Sequence, residues 1–192
     1  MKQVILASSS PRRKKLLEQI GLTFHIIPSH YIEKRGSITD PHVLVKKYAE
    51  GKAKAVAKQF EEAIIIAADS VVYIENEILE KPVTEKRAKE MLKKLSGKPH
   101  EVITGFCILD TESKKRTTKS VTTNVLFKKL TNKEIDWYVS TGEPLDKAGA
   151  YAIQERGALF IKRIEGDFNN AVGLPLFSLF EELKKISSEI AL

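Results

Sequence analysis

Residues 63–74 read "AIIIAADSVVYI", twelve residues that carry one charge, Asp69. Isoleucine and valine branch at Cβ and favour extended backbone. The run is apolar at odd and even positions alike, the pattern of a strand buried on both faces. It is also too short for a membrane span, which needs about 20 such residues. This segment therefore predicts a central strand and a protein layered around it. Asp69 is the exception within it. An ionised carboxylate among such neighbours costs several kcal/mol unless a cation, a metal or hydrogen bonds offset it.

The flanking sequence alternates helix and strand patterns. "QVILAS" (3–8) predicts a short buried strand, and Ser10-Pro11 opens a helix that ends before Gly21. "FHIIP" (24–28) predicts a second strand. Asp40-Pro41 opens a long helix to about Phe60, with Val45, Ala49, Ala53, Val56 and Phe60 on one face. After the central strand, "ENE" turns the chain into "ILEK", and Thr84 caps a helix ending near Ser96-Gly97. "EVITGFCILD" and "TTKSVTTNVLF", joined by "TESKK", predict a long hairpin. "TNKE" (131–134) has capping-box spacing, "ALFIKRIEGD" predicts a last strand, and "LPLFSLFEELKKI" an amphipathic helix. Hairpins interrupt the alternation, so the sheet is expected to be mixed within an α/β fold. No linker or repeat divides residues 1–192, which read as a single domain.

Four cations, Arg12, Arg13, Lys14 and Lys15, occupy the first turn of the first predicted helix, where the macrodipole favours negative charge. The arrangement makes sense if a polyphosphate sits there, met by backbone N–H groups, serine hydroxyls and guanidinium groups together. A solvated helix end is the plainer reading. Lys52 lies beside the apolar stripe of the long helix, between Gly51 and Ala53, whose small side chains leave space above it. Lys81, in "EILEKP", returns toward the end of the Asp69 strand. Glu33 lies in the loop after the second strand. "GEPLDKAGAYAIQ" (142–154) is a shaped loop ending in Gln154, whose amide can pair with a base edge.

The formal net charge of +7 favours polyanionic partners, nucleotides among them. Cys107 is the only cysteine, so no intrachain disulfide forms and a core role in a reducing compartment is expected. The first apolar stretch is too short for a signal peptide, and the expected location is the cytoplasm. P-loop, dinucleotide-fingerprint and nucleophile-elbow motifs are all missing, and the four histidines are too scattered for zinc.

In order along the chain, "LASSSPRRKKLL", "AADS", "EKP", "LSGKPHEVITG", "GEPLDKAGAYAIQ" and "VGLP" resemble the Maf family of nucleoside triphosphate pyrophosphatases, from about Val4 to Leu179. The "GEPLDKAGAYAIQ" version resembles the branch acting on dTTP and UTP. The resemblance implies a metal-dependent hydrolase giving monophosphate and pyrophosphate. It also implies an inosine triphosphatase-like fold: an elongated, twisted mixed sheet flanked by helices, in two lobes with a central cleft. By matching position, Asp69 would be the essential carboxylate, serving as base, metal ligand or both. Glu33 would share a Mg²⁺ or Mn²⁺ ion with it. Ser8, Arg12, Arg13, Lys52 and Lys81 would line the phosphate site, while Arg12, Ser70 and Gln154 would tune base preference. Ser70 stands where this branch usually has threonine, which leaves the choice between thymine and uracil open. A homodimer and a link to cell-division arrest fit the resemblance; nucleic acid is not an expected partner. The rival reading is a non-catalytic nucleotide- or nucleic-acid-binding regulator.

Overall fold

The computed structural model describes residues 2–186; Met1 and 187–192 lie outside the described residues. The elements follow in the order β1 (Gln3–Leu6), α1 (Pro11–Gln19), β2 (His25–Ile26), α2 (Pro41–Ala57), β3 (Ala63–Ile74), β4 (Glu77–Leu79), α3 (Glu85–Leu95), β5 (Pro99–Asp110), β6 (Arg116–Phe127), α4 (Asn132–Ser140), β7 (Ile161–Glu165), α5 (Phe168–Val172) and α6 (Leu176–Ile186). The strands form one mixed, open seven-stranded sheet in the order β2-β1-β3-β5-β6-β7, with β4 paired to β3 off this path. β1 runs parallel to β2 and β3, whereas β4 is antiparallel to β3 and β7 to β6. The mixed α/β expectation holds.

The helix starts follow their local chemistry. Ser10, Asp40, Thr84 and Thr131 each accept a backbone N–H of the first turn through a side-chain oxygen, and Thr131 with Glu134 completes a capping box. Several expected elements are shorter: β1 stops at Leu6, and Ala158, Leu159 and Phe160, expected in the last strand, close a 3-10 turn over Glu155–Phe160, so β7 begins at Ile161. β2 keeps only His25 and Ile26, both exposed at the sheet edge, where one partner strand supplies all of its ladder. Phe60 lies beyond α2, half-buried against its base.

Contacts divide the chain into two compact units. The first comprises the residues through Asp69, Thr104–Val121 and Gly173 onward; the second comprises Ser70–Ile103 and Thr122–Val172. In the first, the inner face of α2 (Ala49, Ala53, Val56) covers Ile5 and Ala7 of the β1 segment, Ala63, Ile65 and Ala67 of β3, and Cys107 of β5. These are alternate residues along each strand, as a single sheet face requires. The approach is close at Gly105, where a Cβ would lie 2.5 Å from the carbonyl carbon of Val45. Cys107 is buried, as expected of a core residue, and burial pushes its thiol up to about 11.

In the second unit, Ala88, Met91, Leu92 and Leu95 of α3 pack with Val72, Leu79, Val125, Phe127, Tyr138 and Tyr151. The expected shaped loop is present as two short 3-10 turns, Glu143–Asp146 and Ala148–Ala150. Gly149 adopts φ +66° and has no room for a side chain, since a Cβ would lie 2.6 Å from Cγ2 of Val72. Among the described residues no helix is long and apolar enough to cross a membrane.

Candidate active site

Asp69 continues the alternation Ala63, Ile65, Ala67 and so emerges on the sheet face that α2 covers. One turn along α2 from Ala49, the side chain of Lys52 reaches the same place. Its Nζ lies 2.6 Å from Oδ1 of Asp69 and 2.6 Å from Oε1 of Glu33. The ammonium thus joins two carboxylates from separate segments, one on a strand and one on the loop between β2 and α2. The Lys52 and Asp69 side chains are 14% and 13% exposed, so the pair is largely withdrawn from water. Burial pushes the Asp69 carboxyl up from its ordinary value; Lys52 and then Arg13 pull it back, and Glu33 adds to the rise.

Arg13 is the second cation here. Its Nε donates to the carbonyl of Gly173 at 2.9 Å and its Nη1 to Oγ of Ser8 at 3.2 Å. Two fixed acceptors suit the rigid guanidinium fork. Burial lowers the Arg13 pKa, and the negative charge of Asp69 works against that shift. Buried Ser8 also accepts the N–H of Ser10 at 3.2 Å, so both hydroxyl lone pairs are engaged and its O–H remains to donate. Arg12 is half-buried, with Nε and Nη1 shielded from solvent. Lys14 and Lys15 are exposed, and Lys14 lies 3.6 Å from Glu18. The four helix-start cations therefore divide: the two arginines lie partly withdrawn from water, and the two lysines are exposed.

Ser8, Arg12, Arg13, Glu33, Lys52 and Asp69 all belong to the first unit; Ser70, Lys81 and Gln154 belong to the second. Ser70 is half-buried, and Lys81 and Gln154 are exposed. Within the second unit the "EKP" and "KAGAYAIQ" segments meet, since the N–H of Gly149 donates to the carbonyl of Glu80 at 3.2 Å. The loop carrying Gln154 is tied further by Glu143, whose Oε1 accepts from Tyr138 Oη at 2.8 Å and from the N–H of Gly157 at 3.2 Å.

One expectation needs correction. The space beside Lys52 at Gly51 is not open: the ring of Tyr31 fills it, 2.4 Å from where a Cβ would stand. The carbonyl that holds Arg13 belongs to Gly173 in "VGLP", 160 residues away, a contact no local pattern signals; Gly173 takes φ +135°, a conformation that favours glycine.

Among the described residues no group of three or more His, Cys, Asp or Glu converges. Two carboxylates sharing one cation are nonetheless a donor set that fits Mg²⁺ or Mn²⁺, ions that complete their oxygen shell with water and substrate phosphates.

Fold and site together define an α/β protein in which Lys52 joins two carboxylates, Asp69 and Glu33, with Arg13 close by. Residues 3–186 match the family model described as Maf-like protein. The chain is 48% identical over 191 residues to a dTTP/UTP pyrophosphatase of Methanosarcina mazei, covering 99% of this chain and 97% of that one. It is 50% identical over 186 residues to one from a Geobacillus species (97% and 99% covered) and 46% identical over 190 residues to one from Bacillus cereus (99% and 98%). The chain belongs to the Maf family.

Proposed function

We propose that this protein is a pyrophosphatase that hydrolyses dTTP and UTP to the monophosphate and pyrophosphate. The relatives named above support the substrate class. The observation that carries the chemistry is the Lys52 ammonium held 2.6 Å from both Asp69 and Glu33, with Arg13 nearby. A protein that only bound anions would gain nothing from the two carboxylates, which repel phosphate.

In this reading Asp69 orients a water toward the α-phosphorus and takes its proton, a task suited to a carboxylate whose pKa is raised. Asp69 and Glu33 would hold a divalent cation, which when bound neutralises phosphate charge and polarises the reacting oxygens. Lys52, beside both carboxylates, would add its positive charge opposite the phosphates. Arg13, fixed by Gly173 and Ser8, brings its guanidinium charge to the triphosphate, alongside Arg12 and the Ser8 hydroxyl. Their charge meets the negative charge that builds on departing pyrophosphate. The motif resemblance assigns Lys81 to phosphate binding and Arg12, Ser70 and Gln154 to base preference. A cytoplasmic location and a homodimer complete the proposal, with a role in clearing nucleotides and a link to cell-division arrest.

Product analysis tests it. Purified protein with Mg²⁺ or Mn²⁺ should release pyrophosphate from dTTP and UTP faster than from ATP or GTP, and EDTA should stop release. Orthophosphate as the first product, or nucleotide binding without turnover, would overturn the reading.

A further inference from the structure

Gly51 stands in the interior of a seventeen-residue helix, where glycine costs roughly 0.5–1 kcal/mol relative to alanine. Its φ is not positive, so backbone conformation does not require glycine there. Space does. A Cβ at Gly51 would lie 2.4 Å from Cε2 and Cζ of Tyr31 and 2.8 Å from Cε1, so the ring rests directly on the helix backbone. The same ring meets Tyr48 of α2 edge-on, with centroids 6.4 Å apart, and the Tyr31 N–H donates to Ser29 Oγ at 3.1 Å.

Tyr31 belongs to the connection between β2 and α2, which includes no strand or helix of its own. Two residues further on, Glu33 reaches Lys52, the residue that follows Gly51. A further tie to α2 is a hydrogen bond from Lys47 Nζ to the Lys34 carbonyl at 3.0 Å, and it is exposed. Glu33 is itself 43% exposed, and solvent-facing ion pairs contribute about 0–1 kcal/mol. Neither contact alone would hold a loop in one place. The aromatic ring laid on the helix adds an apolar anchor to them.

We propose that Tyr31, seated on Gly51, is a positioning residue that fixes Glu33 beside Lys52 and thereby sets the charge arrangement around Asp69. Tyr31 acts through Glu33; its catalytic consequence rests on the proposed function, while its structural consequence does not.

The test uses the full chain with Gly51→Ala, Tyr31→Ala, Tyr31→Phe and the double variant Gly51→Ala/Tyr31→Ala. Amide hydrogen exchange across residues 29–35, thermal midpoint, and kcat and KM for dTTP with Mg²⁺ are measured on each. Gly51→Ala should speed exchange in 29–35 and lower kcat roughly 10- to 100-fold, the scale of a misplaced catalytic group. Its thermal midpoint should move by only a few degrees, because alanine's helix preference offsets part of the lost ring contact. Tyr31→Phe keeps the ring and should retain exchange and turnover. The double variant should be no slower than Tyr31→Ala, since both changes break one contact. Unchanged exchange in 29–35 with turnover within about twofold of wild type in Gly51→Ala and Tyr31→Ala would overturn the inference. So would activity losses that merely follow the thermal midpoint. If the wild-type chain released no pyrophosphate, the proposed function would fall, and the exchange data would still decide whether Tyr31 holds the loop.

Discussion

Lys52 Nζ and Asp69 Oδ1 lie 2.6 Å apart, on a helix and a strand whose apolar residues bury the ground between them. Removing the charge at position 69 therefore leaves the packing in place. Asp69→Asn should abolish turnover, with a loss of at least roughly 10³-fold as for other groups acting on the reacting water. The thermal midpoint at neutral pH should stay within a few degrees or rise. The sign follows from the raised Asp69 pKa: the folded chain holds this proton more tightly than the unfolded chain, so ionisation at neutral pH opposes folding. Lys52 keeps Glu33 as a partner. Circular dichroism melting and pyrophosphate release check the two halves.

Protonation of Asp69 sets the acid limb of activity. If ionised Asp69 takes the proton, kcat/KM should fall on the acid side as this carboxylate becomes protonated, and Asp69→Asn should show no such limb. A pH profile from 4 to 9 on substrate and metal concentrations held fixed would read it.

Arg13 offers Nε to Gly173 and Nη1 to Ser8. A lysine presents one point charge and cannot keep both contacts while facing a phosphate. Arg13→Lys should lower kcat/KM for dTTP by roughly 10- to 100-fold, about 1.4–2.7 kcal/mol. Steady-state kinetics on the folded variant check this.

Much of this was written locally. The strand 63–74, the helix caps at Ser10, Asp40 and Thr84 and the 131–134 capping box depend on residues within a few positions of one another, and each formed as expected. The approach of Lys52 to Asp69 was half legible: the buried carboxylate called for a cation, and the stripe on α2 placed a lysine beside it. What the sequence concealed lies across long separations. Arg13 meets a carbonyl 160 residues away, and the ring over Gly51 comes from a loop with no periodic pattern of its own. Small residues beside a lysine read equally well as open space or as a seat for another side chain; only the tertiary fold distinguishes them.

His100 illustrates the same point in the second unit. It is buried against Phe127, and its Nε2 lies 2.8 Å from Tyr151 Oη. Burial pushes its pKa down to about 4 from 6.5. The unfolded chain takes up this proton first, so the His100 contribution is intact above about pH 6.5 and is lost as pH falls toward 4. At pH 5 the loss is about 2 kcal/mol. His100→Gln, which cannot titrate, should show a smaller fall in urea midpoint between pH 7 and pH 5 than wild type.

Asn170, fully buried, donates through Nδ2 to the Val102 carbonyl at 3.0 Å and to Thr123 Oγ1 at 2.9 Å. Asn170→Ala strips both acceptors of that donor in the interior and should cost about 2–3 kcal/mol. A calorimetric midpoint lowered by roughly 5–10 °C is the expected result.

The central claim is that water attacks the α-phosphorus and that pyrophosphate leaves intact. Hydrolysis of dTTP in ¹⁸O-enriched water, read by mass spectrometry of both products, tests it most directly. The account predicts ¹⁸O in the thymidine monophosphate and none in the pyrophosphate. Label in the pyrophosphate, or labelled orthophosphate released from the γ position, would contradict it.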